Sequence, residues 1–221
     1  MSKQSPSFIP LQISILGAGK IGLALTTLWI RAGHSVCLGA RNPEKLQAEI
    51  DKLGLKASVK SIKDAAEASD IVVLAVPYPV VQGLVSEISN ELKNKILIDA
   101  TNPFGFSPEG HVISTLGPKI TAGTHMANLL PESTIVRAFT HIMDELLVSR
   151  GTRHPGLFAM AIAGDDPTAK ATVAGLVSDT GFVPIDIGNL AESLPLDPGG
   201  ILFAHVFTVA DMKLILKSKR S

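Results

Sequence analysis

The chain has 221 residues, a formal net charge of zero and 46% hydrophobic residues. Its mean hydropathy is +0.32. The neutral balance excludes a basic nucleic-acid stripe, and the length suits one large domain or a nucleotide-binding domain with a small appendage. A single cysteine, Cys37, excludes an internal disulfide framework and a thiolate metal cluster.

Residues 1–6 are polar and start no signal peptide. No uncharged run approaches the roughly 20 residues of a membrane span. The expected setting is a reducing cytoplasm, and the Lys217-Ser218-Lys219-Arg220 tail reads as a solvated end.

The apolar run Ile13-Ser14-Ile15-Leu16 predicts a first strand. Gly17-Ala18-Gly19-Lys20-Ile21-Gly22 follows, and a helical pattern begins at Leu23. Strand, glycine turn and helix form the context that makes GxGxxG a dinucleotide-binding fingerprint. Gly17 permits the sharp turn, Gly19 lets a pyrophosphate approach the backbone, and Gly22 lets helix and strand pack closely. The helix N-terminus offers unpaired N–H groups to the phosphates.

Ser35-Val36-Cys37-Leu38-Gly39 predicts the second strand, ending in Ala40-Arg41-Asn42. NAD-preferring sites place Asp or Glu at this end to hold the ribose hydroxyls. Here there is no carboxylate. Ala40 leaves room, Arg41 can bind a 2′-phosphate with two hydrogen bonds, and Lys45 adds a second positive charge. The expectation is therefore NADP(H) over NAD(H). Asn42 before Pro43 reads as an N-cap and first helical residue.

A helix is expected over residues 43–53, a short strand at 57–59 and a capped helix from Ser61 to Ala68. Residues 71–76 read as a buried strand, 80–92 as a helix, and 96–98 as a strand ending at Asp99-Ala100-Thr101-Asn102-Pro103. A Gly- and Pro-rich loop follows to about Gly110. Helices are expected at 124–130, 143–148 and 165–179, and strands at 135–139, 157–163 and 182–187. Residues 190–200 read as irregular and 201–216 as a terminal helix. Alternating strands and helices imply an α/β Rossmann fold: a doubly wound parallel sheet with a small C-terminal extension. The expected division is an NADP-binding domain over residues 11–150 and a small α/β extension over 151–221.

Ligands in such a sheet lie outside the carboxyl ends of the strands. This rule selects Val76-Pro77-Tyr78, Asn102 and Thr140-His141-Ile142 for the nicotinamide end. Tyr78 suits stacking on the cofactor and a rim position equally. Asn102 suits a carboxamide and a local turn equally. His141 is a proton-donor candidate, although a histidine after a strand is more often half-buried and hydrogen-bonded. His111, His125, His154 and His205 lack metal-ligand spacing, so no metal is expected. No acid–base pair or nucleophile constellation stands out, and no catalytic residue is assigned.

With these motifs, and with Arg137-Ala138-Phe139-Thr140 and Pro198-Gly199-Gly200, the chain resembles the NADPH-dependent coenzyme F-420 reductase family. That group includes the reductase domain of the STEAP ferric reductases. The likeness runs from Ile13 to about Leu216 and is looser beyond residue 140. The resemblance implies bound NADP(H) and hydride exchange with a flavin-like ring, deazaflavin F-420 or flavin, as second substrate. It places NADP on the turn 17–22, Arg41 and Lys45, and the nicotinamide beside Val76, Asn102 and residues 140–144. The family often carries Asn or His where this chain has Thr140, which leaves the acceptor open. Gly199 and Gly200 are candidates for shaping the acceptor side, with a plain turn as the rival reading.

Two rivals stand beside this reading. One is a reductase of a small imine or ketone, like pyrroline carboxylate reductase, although such enzymes carry a longer helical C-terminal region. The other is a non-catalytic NADP(H) sensor. Residues 200–207 fit a homodimer contact and a buried helix equally well.

Overall fold

The computed structural model describes residues 9–117, 119–151 and 156–218. Residues 1–6, His154, Lys219 and Arg220, which figure in the sequence reading, lie outside the described residues.

Ten strands and eight α-helices follow one another along the described chain: β1 (Gln12–Leu16), α1 (Lys20–Ala32), β2 (Ser35–Ala40), α2 (Pro43–Lys52), β3 (Ser58–Ser61), α3 (Ile62–Glu67), β4 (Ile71–Leu74), α4 (Val81–Glu87), β5 (Ile96–Asp99), β6 (Phe104–Phe106), β7 (Val112–Ser114), α5 (Ala122–Leu129), β8 (Thr134–Arg137), α6 (Asp144–Gly151), β9 (Ala159–Gly164), α7 (Pro167–Asp179), β10 (Val183–Asp186) and α8 (Val209–Ser218). Eight strands form one sheet in the order β10-β9-β8-β5-β4-β1-β2-β3. The chain leaves β1 toward β2 on one side, and β4 returns on the other. The β1/β4 crevice is thus the switch point, where such sheets bind ligands.

The strands alternate their burial between two layers. Ile13, Ile15, Val36, Leu38, Val73 and Ile98 face a core shared with α1, α2, α6 and α7. Leu16, Cys37, Val72, Leu74 and Leu97 face a second core under α3, α4 and α5. Both faces being buried explains why the strands read as continuous apolar runs. Burying an apolar side chain of this size contributes roughly 1.5–3 kcal/mol.

Helix ends follow the sequence signals. Asn42 accepts a hydrogen bond from the Lys45 N–H ahead of Pro43, and Gly33 takes the left-handed conformation that stops α1.

The structure corrects the sequence reading in four places. The sheet is not wholly parallel: β9 runs antiparallel to β8, pairing Arg137 with Ala163, and β10 runs parallel to β9. The expected loop after Pro103 contains the hairpin β6–β7. Helix α4 ends at Glu87, short of residue 92. The terminal helix begins at Val209, because residues 200–204 turn, with Ala204 at φ +59°.

The sheet crosses residue 150 without interruption. Trp29 of α1 donates from its indole N–H to the Leu176 carbonyl of α7 at 3.0 Å. Trp29 also meets Phe139 edge to face, centroids 5.6 Å apart. Ala159, Ala161 and Ala163 of β9 pack with Ile187, Leu196, Leu202 and Met212 in a third, smaller core. β10 forms one edge of the sheet and carries Pro184 at its second position.

Candidate nucleotide and acceptor site

The turn 17–22 has the shape that the fingerprint demands. Gly17 sits at φ +114°, where a Cβ would strike the Ala75 carbonyl at the end of β4. A Cβ at Gly22 would strike the Gly17 carbonyl. At Gly19 a Cβ would meet nothing within 4 Å. The turn is therefore tight against the sheet at both ends and open in the middle, on its outer side.

Gly19 is the N-cap of α1, and neither a capping side chain nor an acidic residue occupies that end of the helix. The first N–H groups of α1 and the positive end of its dipole face the opening. This geometry fits a pyrophosphate: an uncapped helix end and a bare backbone are what an anion needs. Ala18 and Ile21 are half-buried, and Lys20 is exposed beside Gly19.

The Gly17 N–H reaches the Gly39 carbonyl at 3.3 Å, tying this turn to the end of β2. Ala40 ends β2 half-buried, and Arg41, Asn42 and Lys45 are exposed just beyond it. The side-chain carbonyl oxygen of Asn42 is taken up as the α2 N-cap, which commits it to starting that helix. Arg41 and Lys45 are the cations at this corner that could meet a 2′-phosphate.

The ends of β4, β5 and β8 come together, as the sequence rule expected. Tyr78 follows β4, and its hydroxyl is buried with no hydrogen-bond partner. Burial first, and then the Asp99 carboxylate, push the phenol up to about 12. It therefore stays neutral and can donate a hydrogen bond. Its ring lies 6.3 Å from His125 of α5. Asn102 donates from its amide to the Thr140 carbonyl at 2.9 Å. The Thr140 hydroxyl oxygen is buried without a partner. Val76 flanks Gly17, and Pro77 is exposed beside it.

Four of the expected acceptor-side residues, His141, Ile142, Gly199 and Gly200, are engaged within the protein itself. His141 is wholly buried. One ring nitrogen accepts from the Ala161 N–H at 3.1 Å, so the other carries the proton and donates to the His205 carbonyl at 3.1 Å. Burial lowers its pKa below the ordinary value. With both nitrogens committed, His141 joins β9 to the following segment and offers no substrate a proton. Ile142, 5% exposed, packs into the core beside α1. Gly199 and Gly200 do permit a close approach, but the approaching atoms are the chain's own: the Val112 carbonyl of β7 at Gly199, and the Leu194 and Pro195 carbonyls at Gly200.

The sequence reading missed the charges beneath this surface. Arg137, the last residue of β8, has no exposed surface. It donates to Asp99 at 2.8 Å, to Asp197 at 2.9 Å and to the Thr101 carbonyl. It also reaches the Asn102 carbonyl oxygen at 3.4 Å. Asp99 accepts further from the N–H and hydroxyl of Thr101 at 2.9 and 2.7 Å, and Asp197 from the Ala122 N–H at 2.8 Å. Burial pushes the Asp197 carboxyl above the ordinary carboxylate range, against the smaller opposing pull of Arg137 and the Ala122 N–H. One signal was available: an arginine inside the apolar run Ile135-Val136-Arg137-Ala138-Phe139 must find carboxylates.

The hairpin β6–β7 stands directly beyond Asn102 and Pro103. Phe104 and Phe106 are exposed and meet edge to face at 4.9 Å, and Phe104 lies 6.3 Å from Phe203. An aromatic surface thus borders the end of β5.

Comparison with known proteins bears on the resemblance seen in the motifs. The family described as NADP oxidoreductase coenzyme F420-dependent matches residues 12–103. The F420-dependent NADP reductase of Methanocaldococcus jannaschii is 28% identical over 195 residues, covering 83% of this chain and 86% of its own. Metalloreductase STEAP3 of Rattus norvegicus is 30% identical over 190 residues, or 84% of this chain. The chain spans about a third of that relative, 36% of its length. Among solved structures, the hypothetical protein SMa0349 of Sinorhizobium meliloti superposes with a TM-score of 0.79 at 29% identity, covering 90% of this chain and 95% of its own. The resemblance seen in the motifs is thus supported over residues 12–103, which match the family of coenzyme F420-dependent NADP oxidoreductases.

Proposed function

We propose that the protein is an NADPH-dependent reductase that passes hydride to a flavin-like ring, deazaflavin F-420 or flavin. The observation that carries the nucleotide part is the turn 17–22, closed at Gly17 and Gly22 and open at Gly19. Arg41, at a strand end without a carboxylate, supports NADPH over NADH.

In this reading the first turn of α1 holds the pyrophosphate, and Arg41 and Lys45 hold the 2′-phosphate. Val76, Pro77, Tyr78 and Asn102 border the nicotinamide. Bound NADPH supplies a hydride, and the acceptor takes it up with one proton from solvent while NADP⁺ is left. The protein's own contribution is alignment and exclusion of water, worth roughly 7–11 kcal/mol in favourable intramolecular cases. That contribution needs no acid–base pair, in keeping with the neutral, fully bonded His141.

A planar acceptor is supported by Phe104, Phe106 and Phe203, whose rings border the end of β5. Offset stacking on such rings suits an isoalloxazine or deazaflavin. The name of one relative, an F420-dependent NADP reductase, points the same way.

The test is anaerobic NADPH oxidation, followed at the nicotinamide absorbance band, with F-420, FMN and FAD offered separately. Turnover with one of these rings is expected. Saturable NADPH binding with no turnover on any of them would reject the ring acceptor and favour the sensor or a small imine or ketone.

A further inference from the structure

Asp99, Asp197 and Arg137 form a cluster with side-chain exposures of 0, 1 and 0%. Two carboxylates share one guanidinium. All four carboxylate oxygens accept hydrogen bonds: Asp99 from Thr101 and Arg137, Asp197 from Ala122 and Arg137. The Arg137 guanidinium and the Thr101 and Ala122 N–H groups can only donate to these oxygens, and the Thr101 hydroxyl can donate or accept. Two acidic groups thus stand against one basic group, an excess of one carboxyl over the guanidinium that faces them.

Its position gives that excess a use. Asp99 ends β5, and Asn102, three residues later, is held by Arg137. The Tyr78 phenol at the end of β4 feels the charges of all three members. A second observation lies at the cluster: the Arg137 Nε and the Thr140 hydroxyl are both buried without a partner. No other charged side chain among the described residues pairs with the cluster.

We infer that the Asp99–Arg137–Asp197 cluster favours the positively charged oxidised nicotinamide over the neutral reduced one, making the bound reduced cofactor a stronger hydride donor. This rests on the proposed placement of the nicotinamide beside Tyr78 and Asn102. A charge in a low-dielectric setting acts more strongly than one in water. Because the reduced and oxidised rings differ by one positive charge, the cluster acts on their difference and not on binding as a whole.

The experiment is a pair of binding titrations, NADPH by its fluorescence and NADP⁺ by calorimetry, on the intact protein and on two variants. Asp197→Asn removes the excess carboxyl and keeps hydrogen-bonding capacity. It should raise the ratio of the NADP⁺ Kd to the NADPH Kd about tenfold, the scale of one charge at the effective protein dielectric. For a two-electron couple, tenfold corresponds to about 30 mV. Arg137→Lys keeps the net charge while disturbing the packing, so it should leave the ratio unchanged even where stability falls. A ratio that stays within about twofold in Asp197→Asn, or moves equally in Arg137→Lys, overturns the inference.

Should either variant fail to fold, the intact protein still decides. NADP⁺ binding as tightly as NADPH or more tightly is expected, and NADPH binding tenfold more tightly overturns the idea. Failure to bind either nucleotide would instead reject the proposed function itself.

Discussion

Arg137 and Asp197, 60 positions apart in the chain, meet at 2.9 Å with at most 1% of either side chain exposed. The contact ties the last residue of β8 to the segment that precedes the terminal helix. Removing the arginine would strand two buried carboxylates. Arg137→Met should cost about 3–5 kcal/mol, read as a lower urea midpoint with an unchanged slope. A loss under 1 kcal/mol would show that the carboxylates find water or protons without strain.

The glycine turn offers a test that separates folding from binding. Gly17→Ala places a Cβ on the Ala75 carbonyl at a positive φ, so the protein should be strongly destabilised. Gly19→Ala meets open space at φ −74°. It should melt within a few degrees of the parent yet lose NADPH affinity at least tenfold. If Gly19→Ala binds NADPH normally, the pyrophosphate does not lie on this turn.

Arg41 should discriminate between cofactors. Charge-assisted hydrogen bonds are worth roughly 1.5–3 kcal/mol, so Arg41→Ala should weaken NADPH about 10- to 100-fold and NADH less than threefold. Fluorescence titration with each reduced nucleotide measures this. Equal losses for both would remove the 2′-phosphate from this corner.

His141 gives stability a pH dependence of known sign. Its folded pKa lies below the ordinary 6.5 because the imidazole is buried. The unfolded chain therefore takes up the proton first. Stability from the neutral ring is complete above about pH 6.5 and is lost as the pH falls toward the folded value, by at most about 1.4 kcal/mol per pH unit. Urea midpoints of the parent and of His141→Gln, compared between pH 7.5 and 5, should show the steeper loss in the parent. Parallel pH profiles would contradict the bonding at Ala161.

What the sequence reveals is mostly what lies close together along it. Gly17, Gly19 and Gly22 announce their turn because strand, turn and helix are contiguous. Asn42 and Pro43 mark a helix start for the same reason. The cluster at Arg137 could not be read so directly, since its carboxylates lie 38 and 60 positions away. The hairpin at Phe104-Gly105-Phe106 hid because its two strands span three residues each, too few for alternation to show. The reversal of β9 leaves no local trace: its run of small apolar residues would read the same in either direction. His141 misled because position after a strand says nothing of depth.

Pro184 has a consequence for how this sheet can meet another protein. The Val183 N–H points inward to the Phe158 carbonyl, and along a strand neighbouring donors point in opposite directions. The outward place beside it therefore falls to Pro184, which has no N–H to give. A second chain laid along β10 would find that donor missing and the charge of Asp186 two positions on. That edge is thus blunted against strand-by-strand extension, and a copy of this protein that pairs with another is expected to do so elsewhere than along β10.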